Sequence, residues 1–174
     1  MVTPEFKTAR RFVLNSGGQT GVDRAVLDFA ISRHIPYSGW CPKDGWAEDL
    51  TVPPGLLAKY QHLKETPSTK PEHRTAWNVR DSHASLIVIN GKEFGFSPGT
   101  VFTVECATLI FMRPCRVVDA TSYDGVQSAR DWLDQLIRSI VDAGPLVLNI
   151  AGPRESEWPG AYAVVSEFLA TVFA

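Results

Sequence analysis

The chain has 174 residues, 44% of them hydrophobic and 21% charged, and its 17 basic and 19 acidic side chains leave a formal net charge of −2. At roughly 150 residues per domain this predicts one domain over 1–174, and the balance excludes a disordered chain, a collagen-like chain and a coiled coil. Without excess positive charge there is no general field for polyanions, so nucleic acid is not an expected partner and any anion must be held locally.

The three cysteines, Cys41, Cys106 and Cys115, form no CxxC pair. That argues against a disulfide framework and a zinc site, and it suits a reducing compartment. The run Phe12-Val13-Leu14 is too short for the core of a signal peptide. The longest apolar stretches, such as 107–112, fall far below the roughly 20 residues of a membrane span. The expected location is cytoplasmic, with no membrane contact.

Short apolar runs alternate with longer helical patterns, which predicts an α/β fold with a mostly parallel sheet flanked by helices. A strand at 11–15 leads into a helix at 21–33, with Val22, Ala25, Val26, Phe29 and Ala30 at helical spacing. The proline-bearing stretch 34–71 reads as a long irregular connection, functional or mobile. A short helix at 72–81, a buried strand at 86–90, a loop at 91–99 and a helix at 100–112 follow. Then come a strand at 116–119, a strongly amphipathic helix at 126–143, a strand at 146–150 and a closing helix at 160–173. In such sheets ligands bind beyond the carboxyl ends of the strands.

The strand-end loops carry the candidate chemistry. After the first strand, Ser16, Gly17, Gly18, Gln19, Thr20 and Gly21 lie where strand turns to helix, with Asp23 just inside it. Glycines permit close backbone approach, and a helix start offers free N–H groups, which suits a phosphate. The spacing is neither the dinucleotide fingerprint nor a P-loop, and a tight capped turn is the plainer reading. Gly18 is the expected point of approach to the anion. Ahead of the central helix, Ser97, Gly99 and Thr100 give a second such start, or an ordinary N-cap. After the last strand Asn149, Gly152 and Arg154 stand out, since arginine offers a planar fork to anions. The plainer reading there is an Arg154–Glu155 surface pair on a Gly-Pro turn. In the long connection, Trp40 and Trp46 around Lys43 suggest a lid that stacks on a flat ring while Lys43 meets negative charge. Otherwise they cover the edge of the core. Arg74, Asn78 and Asp81 share one helical face, which either lines the site or forms a charge-paired surface. No histidine or cysteine spacing suggests a metal site, and no residue is assigned as catalytic.

The motifs SGGQTGVDRAVLDFA (16–30), GWCPKDGWAEDL (39–50), RTAWNVRDS (74–82) and LNIAGPRES (148–156) together resemble the molybdenum cofactor carrier proteins. These are Rossmann-like relatives of the lysine-decarboxylase-like proteins, which include phosphoribohydrolases. The resemblance implies a three-layer Rossmann-like fold and binding of the molybdenum cofactor (molybdopterin). It also implies a homo-oligomer, dimer or tetramer, with molybdoenzymes as recipients of the cofactor. The residues of the strand-end loops would then hold a phosphate-bearing small molecule and do no chemistry on it, with Asp81 accepting N–H groups of the pterin edge. Two positions depart from the family pattern: His83 stands where an aspartate is usual, and Pro98 where a glycine is usual. The alternative is a nucleotide-binding protein or a nucleoside-monophosphate phosphoribohydrolase. Its glutamate would fall at Glu105, two positions late and hence on the far side of the helix, which leaves Glu48 as another acid.

Overall fold

Every strand of the sheet runs in the same direction. The computed structural model describes residues 11–91, 97–139 and 144–174. In chain order the elements are β1 (Phe12–Asn15), α1 (Val22–Ser32), β2 (Tyr37–Cys41), β3 (Leu63–Glu65), α2 (Pro71–Arg80), β4 (Ala84–Ile89), α3 (Pro98–Glu105), β5 (Cys115–Asp119), α4 (Tyr123–Ser139), β6 (Leu146–Ala151) and α5 (Ala161–Val172). The strands form one parallel sheet in the order β3-β2-β1-β6-β4-β5. The chain winds outward from β1 to β3, returns to β4, winds outward to β5 and then inserts its last strand at the centre. Helices α1, α4 and α5 cover one face, and α2 and α3 the other, giving a three-layer α/β fold of Rossmann type.

The main core lies under α1, α4 and α5. Leu14, Leu148, Leu86, Ile150 and Val88 from the central strands meet Ala25, Val26 and Phe29 of α1, Trp132, Leu133 and Leu136 of α4, and Val165, Phe168 and Leu169 of α5. The alternation along each strand puts these residues on one face, as the period of two requires. Ser122 accepts a hydrogen bond from the Gly125 amide at 3.0 Å and so caps the first turn of α4.

The opposite face carries a polar row. Ser38, Asn15, Asn149, Ser85 and Cys115 stand in register across β2, β1, β6, β4 and β5. Ser38 Oγ donates to Asn15 Oδ1 at 3.0 Å, and Asn15 Nδ2 donates to Asn78 of α2 at 3.1 Å. Asn78 in turn accepts from the Trp40 amide at 2.8 Å and donates to the Trp40 carbonyl at 2.9 Å. It satisfies both backbone groups of Trp40 as a neighbouring strand would, and this fastens α2 to β2.

Several expectations are corrected here. The stretch 34–71 is not irregular throughout: it contains β2, β3 and short 3-10 turns at Lys43–Gly45 and Gly55–Ala58. Tyr-Ser-Gly-Trp-Cys lacks apolar alternation, and the strand is held by ladder bonds and Asn78 rather than by a hydrophobic pattern. The helix expected to 112 ends as an α-helix at Glu105 and continues as a π turn over Cys106–Ile110. Trp158 is 7% exposed and packs into the main core. His83 sits at the amino end of β4, where its amide donates to the Val147 carbonyl at 2.8 Å and its Nδ1 accepts from the Val147 amide at 2.9 Å. That is the opposite end of the sheet from the strand-end loops, so the departure at His83 leaves those loops untouched.

Asn78→Ala would leave both Trp40 backbone groups without partners, while the buried Asn15 amide would keep only the backbone carbonyl of residue 78. The expected loss is about 2–4 kcal/mol of stability, measured by urea denaturation.

Candidate functional site at the strand ends

Three loops meet beyond the carboxyl ends of β1, β2 and β6. The first is the glycine-rich loop, and each of its glycines answers to the protein itself. A Cβ on Gly17 would overlap the Arg74 guanidinium and stand 3.0 Å from the Asp23 carboxylate. Gly18 has φ +75°, and its Cβ would face Leu56, Leu63 and Leu27 at 3.1–3.3 Å. Gly21 packs against the backbone of 153–155. The side of Gly18 that lacks a side chain faces an apolar cluster.

The start of α1 is likewise occupied by the chain's own carboxylate. Asp23 is buried and pairs with Arg74 at 2.9 Å, and it also accepts from the Gln19 amide and the Ser16 hydroxyl. Burial pushes its carboxyl up, against the opposing pull of Arg74 and these hydrogen bonds. The Val22 amide goes to the Pro153 carbonyl at 3.3 Å. Ser16 Oγ also reaches the Ile150 carbonyl at 3.0 Å, tying β1 to β6.

The second and third loops are clasped to the first by Glu48. Its carboxylate accepts a very short hydrogen bond from Thr20 and bonds from the Ser156 amide and hydroxyl at 3.3 and 2.7 Å, with Arg154 at 3.8 Å. Gln19 Oε1 accepts from the Thr20 and Glu48 amides, and Thr20 Oγ1 accepts from the Glu155 amide at 3.1 Å. Arg24 forms a two-pronged pair with Asp49 at 2.9 Å and also donates to the Gly18 carbonyl. Burial raises the Glu48 carboxyl, but the bonds from Thr20 and Ser156 and the charge of Arg154 outweigh it, and the net shift is downward. Asp49 is lowered chiefly by its hydrogen bond from Arg24.

The remaining candidates separate into groups. Gly152 is required by packing, since a Cβ there would meet the Val88 carbonyl and Val22. Asn149 is 1% exposed; its Nδ2 donates to Ser85 at 3.2 Å and its Oδ1 has no partner among the described residues. Ser97 caps α3, accepting from the Thr100 amide at 3.2 Å, and Thr100 is buried. A Cβ on Gly99, in contrast to those of the glycine-rich loop, would meet nothing within 4 Å. Glu105 is exposed, whereas Thr100 and Thr103 form the buried side of α3. Asp81 lies two turns along α2 from Arg74, and its carboxylate is taken by Arg80 at 2.7 Å and the Trp40 indole at 2.7 Å. The expected shared face of Arg74, Asn78 and Asp81 thus divides: the first two point inward to different partners, and the third caps the far end. The two lid tryptophans also part. Trp40 packs edge-on against Trp77 at 4.7 Å, while Trp46 and Lys43 line a separate cavity of about 420 Å³. Cys41 is buried and its thiol is pushed up to about 11, first by burial and then by Glu65.

With this geometry in place, the comparisons can be stated. Residues 14–173 match the circularly permutated YpsA SLOG family. The chain belongs to that family. A crystal structure of a protein from Syntrophus aciditrophicus SB, described as a "Putative molybdenum carrier protein", is similar over 95% of this chain and 96% of that one, at 36% identity and a TM-score of 0.78. No curated protein matches. Among the described residues no helix is long and apolar enough to cross a membrane, and no group of three His, Cys, Asp or Glu side chains could hold a metal ion.

In this family member three of the sequence motifs meet in the clasp around Glu48. Glu48 was read only as a spare acid, and Asp44 not at all. Glu48 lies in the motif 39–50, but its partners at 20, 154 and 156 are distant in sequence, so spacing alone carried no signal.

The folded carboxyl of Glu48 titrates below its ordinary 4.5. Its contribution is therefore complete above that value and is lost as pH falls through the lower folded value. Melting curves should show the wild type losing stability below about pH 4.5 more steeply than Glu48→Gln.

Proposed function

We propose that this chain acts as one domain that binds the molybdenum cofactor at the carboxyl end of its sheet and carries it unaltered. The observation that carries this reading is that the carboxylates where the three loops meet are engaged, the free Asp44 lying apart at the separate cavity of Lys43 and Trp46. Asp23 is held by Arg74, Glu48 by Thr20 and Ser156, Asp49 by Arg24, and Glu155 by the Gly160 and Tyr162 amides. A glycosidic hydrolysis needs an acid or base free to exchange a proton with the substrate, and Glu105 faces outward. Binding without chemistry is the reading that fits. The likeness to a protein described as a molybdenum carrier supports this ligand over a nucleotide.

The residues fit such a cargo in three respects. Gly99 leaves open space at the start of α3, where Ser97, Thr100 and the helix N-terminus offer donors to a phosphate. The unpartnered Oδ1 of Asn149 lies in the row beside β4, at the switch point, and can accept an N–H or O–H. Arg74 and Arg154 bring positive charge to the loops. The cargo's dithiolene supplies the sulfur ligands of its metal, so the chain needs no metal-binding cluster of its own. Ser16, Gly17, Gly18, Gln19, Thr20, Gly21, Asp23, Asn78 and Gly152 then shape the site rather than touch the ligand. Pro98 removes one amide donor from the start of α3 and weakens the hold on phosphate relative to a glycine there. The protein works in the cytoplasm as a homo-oligomer, for which the exposed Leu109, Ile110 and Met112 after α3 offer apolar surface. Molybdoenzymes receive the cofactor.

Gly99→Val tests this reading. The added side chain enters open space, so the variant should fold with a melting temperature within a few degrees of wild type. In anaerobic gel filtration it should lose the cofactor that the wild type retains one per chain and releases to excess phosphate. Retention by the folded variant would remove the start of α3 from the site. Release of free base from AMP by the wild type would favour the hydrolase.

A further inference from the structure

The cavity beside the 3-10 turn at Lys43–Gly45 is lined by Lys43, Asp44 and Trp46 on one side and by Pro53 and Pro71 on the other, and at about 420 Å³ it falls in the range of small-molecule sites. Its two charged side chains, Lys43 and Asp44, are exposed. Lys43 and Asp44 are adjacent, yet neither the ammonium nor the carboxylate pairs with the other or with any described residue. Most of the carboxylates around them are committed. Asp44 also holds a left-handed backbone, φ 63°, uncommon outside glycine. Its own amide is fixed by Glu65 at 2.7 Å, and the Lys43 amide by the Ser68 carbonyl at 3.0 Å. The backbone thus pins two opposite, unspent charges side by side at the lip of a cavity walled by an indole and two proline rings.

We propose that this cavity takes the amino-oxopyrimidine edge of a fused aromatic ring, the edge that pterins and guanine share. Such an edge presents two parallel N–H groups beside a carbonyl oxygen. The carboxylate of Asp44 accepts the N–H pair, Lys43 donates to the carbonyl, and Trp46 covers a face of the ring. An adenine edge has neither the carbonyl nor the paired donors and is refused. This deepens the proposed function and rests on it for the source of the ring, but the recognition can be read without any phosphate.

Titration calorimetry with neopterin, guanosine and adenosine tests it, because none of the three carries a phosphate. Neopterin is expected to bind, with adenosine weaker by about tenfold or more. Asp44→Asn should weaken neopterin by a similar factor, Trp46→Ala should abolish binding, and Trp46→Phe should restore most of it. Gly99→Val should leave neopterin binding unchanged, which separates failure at the phosphate end from failure here. Guanosine binding in place of neopterin would keep the edge and assign it to a guanine nucleotide. Equal affinity for adenosine, indifference to Asp44→Asn, or no binding of neopterin or guanosine at millimolar concentration would overturn the proposal.

Discussion

The ion pair between Asp23 and Arg74 passes over Gly17 and joins α1 on one face of the sheet to α2 on the other. Asp23 is almost wholly buried, so its charge is tolerable only because Arg74, the Gln19 amide and the Ser16 hydroxyl meet it. Removing one member of such a pair typically costs about 3–5 kcal/mol, since the other is left buried and unmatched. The rest of the strand-end architecture is arranged around this constraint. Position 17 must be glycine to admit the guanidinium, and the buried carboxylate it meets stands in the first turn of α1.

That arrangement moves the ligand question away from the glycine-rich loop. A loop of three glycines before a helix looks like an anion cradle, yet here the space is filled by Arg74, by an apolar cluster and by the 153–155 backbone. The open positions lie elsewhere: at Gly99 on α3, at the unpartnered oxygen of Asn149, and at the Lys43–Asp44 pair. The strand order matters for this. Because β6 is inserted between β1 and β4, the loop carrying Arg154 and Ser156 is brought against Thr20 and Glu48, and Asn149 comes to lie beside Ser85 at the switch point.

Much of the fold was legible in the sequence. The helical spacing of Val22, Ala25, Val26 and Phe29, and of Trp132, Leu133 and Leu136, predicted two helices whose buried faces are those observed. The runs at β1, β4, β5 and β6 were apolar enough to be recognised. β2 and β3 were not, because Tyr37–Cys41 and Leu63–Glu65 owe their order to neighbours and to Asn78, which no local pattern reveals. The site was legible as a set of loops but not as a set of roles. Asn78 and Asp81 carry the residue types of a ligand site, yet a backbone mimic and a helix-end ion pair use the same chemistry. Which of these a side chain performs depends on partners at 15, 40 and 80 that only the fold selects.

The central claim is that the strand ends hold a cargo and leave it intact. Native mass spectrometry of the protein after anaerobic incubation with the molybdenum cofactor addresses this most directly. The account predicts a complex whose added mass is that of the whole cofactor and does not change with time, and from which the same species is recovered on unfolding. A protein that emerges without added mass, or that carries a fragment of the cofactor, would contradict it.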